Sequence, residues 1–217
     1  MSHNFYNDNA DLLARQYLST SFEEVHASWL PHLNTIFDSH DSGLSILDVG
    51  AGVGRDAKYL AERTGSSTSK SPQRVDVVAV EPAHTLAELG KNYTQGLSVT
   101  WINDSLPCLH RLAIYQNGFN LILLSAVWMH IPQNERATAL KTLEHLLAPH
   151  GKLIISLRNG PNSDIRVLHP VSIEELQAMA GAAHLTMVDA TDRETDKLGR
   201  TQIFWETVVL QRERDTR

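Results

Sequence analysis

The 217-residue sequence contains a single cysteine, Cys108. One cysteine excludes a disulfide within the chain, a Cys-x-x-Cys redox pair and any zinc site that needs several cysteines. No run approaches the roughly 18 consecutive apolar residues of a membrane-spanning helix, and the first residues lack the basic segment followed by an apolar segment that is typical of signal peptides. These absences predict a cytoplasmic protein that does not insert into a membrane.

Basic residues are in the minority, because 19 Lys and Arg stand against 25 Asp and Glu, for a formal net charge of −6. Binding to nucleic acid or to an anionic membrane needs a basic face, so this balance disfavours both and favours a small-molecule substrate. The 11 histidines form no HxH or HExxH pattern, and we therefore expect no metal site. The sequence does not indicate the oligomeric state.

Short apolar runs rich in Val, Ile and Leu alternate with segments of helical period between residues 44 and 158. The runs are almost continuously apolar, which is typical of parallel strands covered by helices on both faces. The alternation predicts an α/β fold with a doubly wound sheet. The predicted strands are 44–49, 75–80, 97–102, 119–125 and 152–157, and the predicted helices include 55–63 and 134–151, the second ended by Pro149 and Gly151.

The N-terminal segment departs from this alternation. Ser21 and Glu24 form a capping-box pattern that opens a helix with Phe22, Val25 and Trp29 on one face, after a shorter helix over 9–18. We expect residues 1–40 to form a helical lid over a cofactor-binding core at 44–158.

The C-terminal segment also departs from it. Ser172 and Glu175 repeat the capping pattern, and the runs 185–192 and 202–210 predict an antiparallel hairpin that closes the sheet. Residues 159–217 are therefore expected to supply this hairpin and loops on the substrate side. The Ser-rich stretch 64–74 predicts an exposed loop. Since no linker divides the chain, residues 1–217 are predicted to form one domain.

A glycine-rich turn follows the first predicted strand, where LSILDV leads into Gly50-Ala51-Gly52-Val53-Gly54 and then into a helix. Such a turn lets a ligand approach backbone N–H groups at the carboxyl end of a parallel strand. The spacing is G-x-G-x-G rather than the G-x-G-x-x-G of dinucleotide-binding proteins, and no G-x-x-x-x-G-K-S/T motif is present. Asp48, just ahead of the turn, would repel a pyrophosphate and attract an ammonium group.

Two more acidic residues stand at the ends of the next two strands. Glu81 occupies the position where doubly wound folds commonly place a carboxylate that accepts hydrogen bonds from ribose hydroxyls. Asp104, in NDSLP, is suited to the exocyclic amine of a base. Three carboxylates in this order suit a ligand with an ammonium, a ribose and an amino-purine but no phosphate, which describes S-adenosylmethionine.

Five segments in order resemble the successive motifs of class I S-adenosylmethionine-dependent methyltransferases: LDVGAGVGRD, VVAVEP, NDSLP, FNLILLSAVWMHIP and LLAPHGKLIISL. The resemblance covers roughly residues 44–158. It implies a Rossmann-like, seven-stranded sheet whose last strand runs antiparallel, with the cofactor across the carboxyl ends of the first strands. The antiparallel hairpin inferred above agrees with that topology.

The resemblance also implies which residues hold the cofactor. Asp48 and the glycine turn would hold the methionine part, Glu81 the ribose and Asp104 the adenine, while the backbone near Ser125 and Ala126 would lie beneath the sulfonium. The complete predicted cofactor set is Asp48, Gly50, Ala51, Gly52, Gly54, Arg55, Glu81, Pro82, Asp104, Ser105, Leu106, Ser125, Ala126 and Tyr6.

Methyl transfer from a sulfonium releases a neutral leaving group, so alignment is most of the task. If the acceptor is an oxygen or an amine, a base must remove its proton, and His130, directly after the fourth strand, is the predicted catalytic residue. Aromatic faces stabilise a sulfonium by cation–π attraction, and Tyr6 and Trp128 are the candidates.

The segments expected over the cofactor contain several cations, namely Arg158, Arg166, His169 and Arg200. A group of cations in an acidic protein suggests an acceptor with a carboxylate or a phosphate. The predicted substrate-binding residues are Trp128, Arg158, His169 and Arg200. An RNA or protein methyltransferase, a nicotinamide-dependent dehydrogenase and a cofactor-binding protein without catalysis stay open as alternatives.

Overall fold

The computed structural model describes residues 3–40, 43–63, 74–162 and 164–213. Within these ranges one sheet holds eight strands in the order β3-β2-β1-β4-β5-β8-β6, and the two-residue β7 pairs with β8. The strands are β1 Leu44–Val49, β2 Val75–Val80, β3 Val99–Ile102, β4 Phe119–Leu124, β5 Leu147–Asn159, β6 Leu185–Ala190, β7 Glu194–Thr195 and β8 Phe204–Arg212.

Strands β1 to β5 run parallel, whereas β8 lies antiparallel between β5 and β6. The predicted doubly wound sheet with an antiparallel last strand is therefore confirmed, and β7 is a short addition to it. Because neighbouring parallel strands are in register, with Val49 opposite Val80, their carboxyl ends meet at one edge. Chain segments that follow these strands come together there.

The apolar strands are buried on both faces, as their composition predicts. In β1, Leu47 and Val49 pack in one hydrophobic cluster, while Leu44 and Ile46 pack in another on the opposite side of the sheet. Helices cover both sides: α1 His3–Asp8, α2 Ala10–Tyr17, α3 Phe22–His26, α4 Leu30–Asp38, α5 Arg55–Glu62, α6 His84–Tyr93, α7 Gln133–Leu146 and α8 Ile173–Ala180. Short 3-10 turns occupy His110–Tyr115, Trp128–His130 and Gly181–Ala183.

The capping box at Ser21 is present, with the Glu24 N–H 3.1 Å from the Ser21 Oγ and the Ser21 N–H 2.7 Å from the Glu24 Oε2. The helix that it opens is shorter than predicted, because it ends at His26 and Trp29 caps α4 instead. Pro31 at the start of α4 explains the break, since proline is favoured in the first turn of a helix and cannot donate within an earlier one.

The predicted end of α7 at Pro149 and Gly151 is also wrong. The helix ends at Leu146, and β5 begins at the next residue, opposite Phe119 of β4. All but Arg74 of the Ser-rich stretch 64–74 lies outside the described residues. Among the described helices, none combines the length and apolarity that crossing a bilayer requires.

The N-terminal helices pack over the end of the sheet where β1 and β2 finish. Ala10 and Leu13 of α2 form a hydrophobic cluster with Val53 of the glycine turn, Ala83 just before α6 and Leu86 of α6. The Asn7 Oδ1 accepts a hydrogen bond from the Thr85 N–H at 3.0 Å. Helices α1 and α2 therefore cover the residues that follow β1 and β2.

Candidate active site

A cleft lies at the carboxyl ends of β1, β2, β4 and β5, beneath α1 and α2. It is lined by most of the residues that the sequence singles out: Tyr6, Asp48, Gly50, Ala51, Gly52, Arg55, Glu81, Pro82, Asp104, Ser105, Leu106, Ser125, Ala126, His130, Arg158, Arg166 and Arg200. We call the part formed by the ends of β1, β2 and β3 and by α5 the cofactor half. The acceptor half is formed by the end of β5, the loop after it and the segment 194–200.

The glycine turn is held by backbone hydrogen bonds to the neighbouring strand. The Gly50 and Ala51 N–H groups both donate to the Val80 carbonyl oxygen, at 2.8 and 3.0 Å. Gly50 has a φ of 73°, and a Cβ there would lie 2.4 Å from the Val127 Cγ2. Only glycine fits this position, because a side chain would be strained and would collide with the segment after β4.

Asp48 is a buried carboxylate with an unused acceptor. Its side chain is 2% exposed, and its Oδ2 has no hydrogen-bond partner among the described residues. Burial raises the pKa of Asp48 well above its usual value, as does the nearby Asp56, although Arg55 opposes the rise. An ammonium group at this oxygen would supply the missing donor and the missing positive charge, so the site fits the methionine part of S-adenosylmethionine.

Glu81 joins two loops through its carboxylate. Its Oε2 accepts from the Gly52 N–H at 2.9 Å, and its Oε1 accepts from the Ala83 N–H at 2.8 Å. Burial raises the pKa of Glu81, while these two backbone hydrogen bonds lower it. Each oxygen keeps a further lone pair, so two ribose hydroxyls still find acceptors on a carboxylate that is already fixed in place.

Asp104 organises the turn after β3. Its Oδ1 accepts from the Ser105 N–H at 2.8 Å and its Oδ2 from the Arg111 N–H at 2.7 Å. Asp104 is also compatible with the ligand role that the sequence suggests, since Asp104, Ser105 and Leu106 line the cleft.

Arg55 and Asp56 form a buried pair rather than a surface pair. The Arg55 Nε lies 2.6 Å from the Asp56 Oδ1, and the Arg55 Nη1 donates to the Tyr17 carbonyl and to the Thr20 Oγ1. Burial tends to raise the pKa of Asp56, but His26 and Arg55 hold it below its usual value. The pair ties α2 and the segment after it to the first turn of α5.

His26 is a lining residue that the sequence did not reveal. Its Nδ1 accepts from the Trp29 indole N–H at 3.0 Å, so its Nε2 carries the hydrogen that faces the Asp56 Oδ2 at 2.9 Å. The sequence pattern does not indicate that His26 lies near Asp56, because the two residues are 30 positions apart. In the sequence His26 looks like any other residue of an amphipathic helix. Its position depends on how α3 packs against α5.

Tyr6 and His130 meet across the cleft. The Tyr6 hydroxyl lies 2.9 Å from the His130 Nε2 and 3.3 Å from the Arg166 Nη1. Burial, together with the positive charge of Arg166, lowers the pKa of His130 to about 4. His130 is therefore a neutral imidazole at physiological pH.

The arginines of the acceptor half differ in their pairing. Arg166 binds Asp164 with its Nη2 2.5 Å from the Oδ2, and Arg200 binds Asp196 with its Nη2 2.6 Å from the Oδ1. Arg158 donates only to the carbonyls of Gly160 and Pro161, and its Nε is buried without a partner among the described residues. Lys197 also lines this half and is exposed.

The structure corrects three sequence-based assignments. Trp128 is 0% exposed and packs in the core, because the 3-10 turn Trp128–His130 directs the indole inward and His130 toward the cleft; the prediction that Trp128 contacts the cofactor or acceptor is wrong. His169 and Gly54 are not among the described residues that line the cleft. His169 donates its N–H to the Met129 carbonyl, and a Cβ at Gly54 would meet Trp101 at 2.9 Å.

The class I methyltransferase fold with an S-adenosylmethionine site is defined by three features that this structure has. They are a parallel sheet with an antiparallel final strand, a glycine turn after β1 and carboxylates after the next two strands. Residues 21–194 of the sequence match the family described as methyltransferase domain. The chain belongs to this family, and it is an S-adenosylmethionine-dependent methyltransferase. No curated protein sequence matches it.

Solved structures agree with the fold. The 1,6-didemethyltoxoflavin-N1-methyltransferase of Burkholderia thailandensis, solved with 1,6-didemethyltoxoflavin and S-adenosylhomocysteine, is 21% identical with a TM-score of 0.67, covering 98% of this chain and 87% of that one. The magnesium protoporphyrin IX methyltransferase of Synechocystis, solved with S-adenosylmethionine, is 15% identical with a TM-score of 0.67, covering 97% and 95%. The [4+2]-cyclase SpnF is 14% identical with a TM-score of 0.68, covering 97% and 94%. Such distant likeness shows the fold and leaves the acceptor open.

Proposed function

We propose that this enzyme transfers the methyl group of S-adenosylmethionine to a small acceptor that carries a carboxylate, and that Arg158 binds this carboxylate. The observation that carries the proposal is that Arg158, in the acceptor half of the cleft, has no carboxylate partner among the described residues and that its Nε has no hydrogen-bond partner there. Two neighbouring arginines already have carboxylate partners, so they offer less charge to a ligand.

The cofactor half supports the assignment of each part of S-adenosylmethionine. Asp48 binds the ammonium, Glu81 the ribose hydroxyls, and Asp104 with Ser105, Leu106 and Pro82 the adenine, while Arg55 and the glycine turn border the methionine part. Ser125 and Ala126 form the floor, because they directly follow β4. When bound, the cofactor supplies an electrophilic methyl group with a neutral leaving group, so these residues contribute mainly by alignment.

Arg158 is suited to a carboxylate for two reasons. Burial lowers its pKa, and the positive charges of Arg200 and Arg166 lower it further, so an incoming anion relieves an unfavourable charge. The Nε also lacks a hydrogen-bond partner among the described residues, so a carboxylate would supply a charge-assisted acceptor for it. Such a contact contributes about 1.5 to 3 kcal/mol of binding free energy.

A small acceptor is favoured by the way the cleft is covered. Tyr6, Leu13, Tyr17 and Thr20 of the N-terminal segment line it from one side, and residues 194–198 line it from another. We propose that residues 1–40 act as a lid, 44–158 as the cofactor-binding core and 159–217 as the substrate side of one catalytic unit over 1–217. Closure of such a lid excludes water and leaves little room for a macromolecular acceptor.

The test is a panel of hydroxybenzoates and mercaptobenzoates, each compared with its neutral carboxamide, with release of S-adenosylhomocysteine as the readout. We expect turnover of acids, with a KM at least tenfold lower than that of the matched amide. Arg158→Gln should raise the KM for the acid by about 10- to 100-fold and remove the preference over the amide. Arg193→Gln is the matched control, because Arg193 is exposed and pairs with Glu206 outside the cleft.

Three outcomes would contradict the proposal. The first is that the wild-type enzyme binds S-adenosylmethionine but releases no S-adenosylhomocysteine with any acid. The second is that acids and amides have equal KM values in the wild-type enzyme, and the third is that Arg158→Gln leaves both the KM for the acid and the preference over the amide unchanged.

A further inference from the structure

Three residues from distant parts of the chain meet at one phenol oxygen in the cleft. Tyr6 belongs to α1, His130 follows β4, and Arg166 lies in the loop after β5. The Tyr6 oxygen is 2.9 Å from the His130 Nε2 and 3.3 Å from the Arg166 Nη1. All three side chains line the cleft.

The direction of these hydrogen bonds follows from the chemistry of the groups. A guanidinium only donates, so the Tyr6 oxygen accepts from Arg166 and its own hydrogen is free for His130. The His130 ring also makes a hydrogen bond to the backbone of Val167, which favours its protonated form and therefore places a ring hydrogen toward that carbonyl. With Nδ1 as this donor, Nε2 accepts the Tyr6 hydrogen, and the chain of bonds is consistent throughout.

Burial and the charged groups around the pair keep His130 neutral, so that its Nε2 is an acceptor. Arg166 and Asp164 face it from the loop after β5, and Arg166, Asp164 and Glu81 act on Tyr6. Burial lowers the pKa of His130 to about 4, helped by Arg166 and opposed by Val167 and Asp164. Burial raises the pKa of Tyr6, while Arg166 lowers it, so the phenol stays protonated at rest.

We propose that Tyr6 is the catalytic residue that takes the proton of a hydroxyl acceptor and passes its own proton to His130. This inference rests on the proposed function and specifies the reacting atom of the acidic acceptor as a hydroxyl oxygen. Because the Tyr6 hydrogen occupies the His130 Nε2, an acceptor reaches that base only through Tyr6.

The step balances as follows. The acceptor oxygen forms a bond to the methyl carbon while the carbon–sulfur bond breaks, and its electron pair stays on sulfur as a neutral thioether. The acceptor proton moves to the Tyr6 oxygen, the Tyr6 proton moves to the His130 Nε2, and the resulting imidazolium later releases a proton to water. The positive charge of Arg166 stabilises the anionic character that Tyr6 gains during the transfer.

The strength of the base distinguishes an oxygen from a nitrogen acceptor. A hydroxyl oxygen that gains a methyl group becomes a strong acid, and a weak base accepts its proton readily. A methylated amine holds its proton about as tightly as a lysine does, with a pKa near 10, so a weakly basic histidine would not remove it. The arrangement of Tyr6 and His130 therefore serves a hydroxyl group.

The experiment compares Tyr6→Phe with the wild-type enzyme on one hydroxybenzoate and the corresponding mercaptobenzoate at pH 9, where the thiol is largely an anion and needs no base. We expect kcat for the hydroxy acid to fall by about 100-fold, while kcat for the mercapto acid and the dissociation constant of S-adenosylhomocysteine change less than threefold. Tyr93→Phe is the control, since Tyr93 lies on α6 outside the lining of the cleft.

Each other outcome overturns the proposal. An equal loss with both acceptors would make Tyr6 a structural residue of the lid, and no loss would remove it from the reaction. Turnover of mercapto acids alone by the wild-type enzyme would refute the hydroxyl assignment and leave the proposed function intact. If the wild-type enzyme released no S-adenosylhomocysteine with any acid, the proposed function itself would fail, and this inference with it.

Discussion

The two halves of the cleft carry opposite charge. Among the described residues, the cofactor half presents the carboxylates Asp48, Asp56, Glu81 and Asp104 and the cation Arg55. The acceptor half presents four cations, Arg158, Arg166, Lys197 and Arg200, and the carboxylates Glu194 and Asp196. One cleft in a chain of net charge −6 is thus suited to a cation at one end and an anion at the other.

The difference between the halves teaches that local pairing decides which charges are available to a ligand. In the cofactor half, Asp56 is satisfied by Arg55 and His26, whereas the Asp48 Oδ2 has no partner in the part of the chain that the structure describes. In the acceptor half, Arg166 and Arg200 are satisfied by Asp164 and Asp196, and Arg158 has no carboxylate partner among the described residues. Asp48 and Arg158 are therefore groups that a ligand of opposite charge would complete.

The largest expected effect comes from removing the carboxylate that joins the loops of the cofactor half. Glu81→Ala should weaken binding of S-adenosylmethionine by about 100-fold or more, because it removes the ribose acceptor and both anchors of the Gly52 and Ala83 N–H groups. Titration calorimetry provides the measurement. Glu88→Ala is the control, since Glu88 is exposed and pairs with Lys91; wild-type affinity in Glu81→Ala would contradict the placement.

His130, which lies in the cleft between Tyr6 and the loop after β5, should affect how stability depends on pH. The pKa of His130 lies at about 4 in the folded protein, below its usual 6.5, so the unfolded chain binds more protons between these values. The neutral imidazole contributes about 3 kcal/mol to the free energy of unfolding. This contribution is full above pH 6.5 and is lost as the pH falls to 4. We expect chemical denaturation to show that the free energy of unfolding falls less between pH 6.5 and 4 in His130→Asn than in the wild-type protein.

The control for this experiment is His110→Asn. Because His110 is exposed, this substitution should leave the slope of the unfolding free energy against pH unchanged. Identical slopes in the wild-type protein and His130→Asn would show that burial does not disfavour the imidazolium.

The smallest expected effect is a gain in apparent affinity for the acceptor, from a change in the acceptor half. Asp164→Asn removes the charge that pairs with Arg166 and should lower the KM for an acidic acceptor by about threefold, because a second guanidinium becomes available. Steady-state kinetics at low salt gives the measurement. Asp192→Asn serves as the control, as Asp192 is exposed and does not line the cleft. An unchanged or higher KM in Asp164→Asn would mean that Arg166 does not attract the acceptor.

Much of the cofactor half could be predicted from the sequence, because its residues follow directly after strands. The position of Asp48, Glu81 and Asp104 depends on the register of parallel strands, which the apolar runs mark clearly. The same logic placed Ser125 and Ala126 near the end of β4. Such short-range patterns predict the site because the parallel strands of the sheet place their carboxyl ends at one edge.

The rest of the cleft was less predictable, because its geometry depends on loops and on the N-terminal helices. Trp128 and His130 differ in burial only through the turn of a short 3-10 helix, which no periodicity signals. The contact between Tyr6 and Arg166 spans 160 residues. The pairs Asp164 with Arg166 and Asp196 with Arg200 are close in sequence, so a local search for opposite charges would have shown that two of the arginines are neutralised.

The unpaired carboxylate of Asp48 is the centre of the account, and its pKa gives a further expectation. Burial raises the folded-state pKa of Asp48, so its favourable contribution is present below the usual value of 3.8 and is lost as the pH rises through the folded-state pKa. Burial of the charged form of Asp48 therefore destabilises the unliganded protein. Asp48→Asn should unfold at the same or a higher temperature without cofactor.

Calorimetric titration of the wild-type enzyme and Asp48→Asn with S-adenosylhomocysteine and with its deamino analogue tests this point most directly. The account predicts that the wild-type enzyme prefers the amino compound by at least about tenfold, as expected for a charge-assisted contact, and that Asp48→Asn binds the two compounds about equally. The same preference in both proteins would show that Asp48 does not recognise the ammonium group.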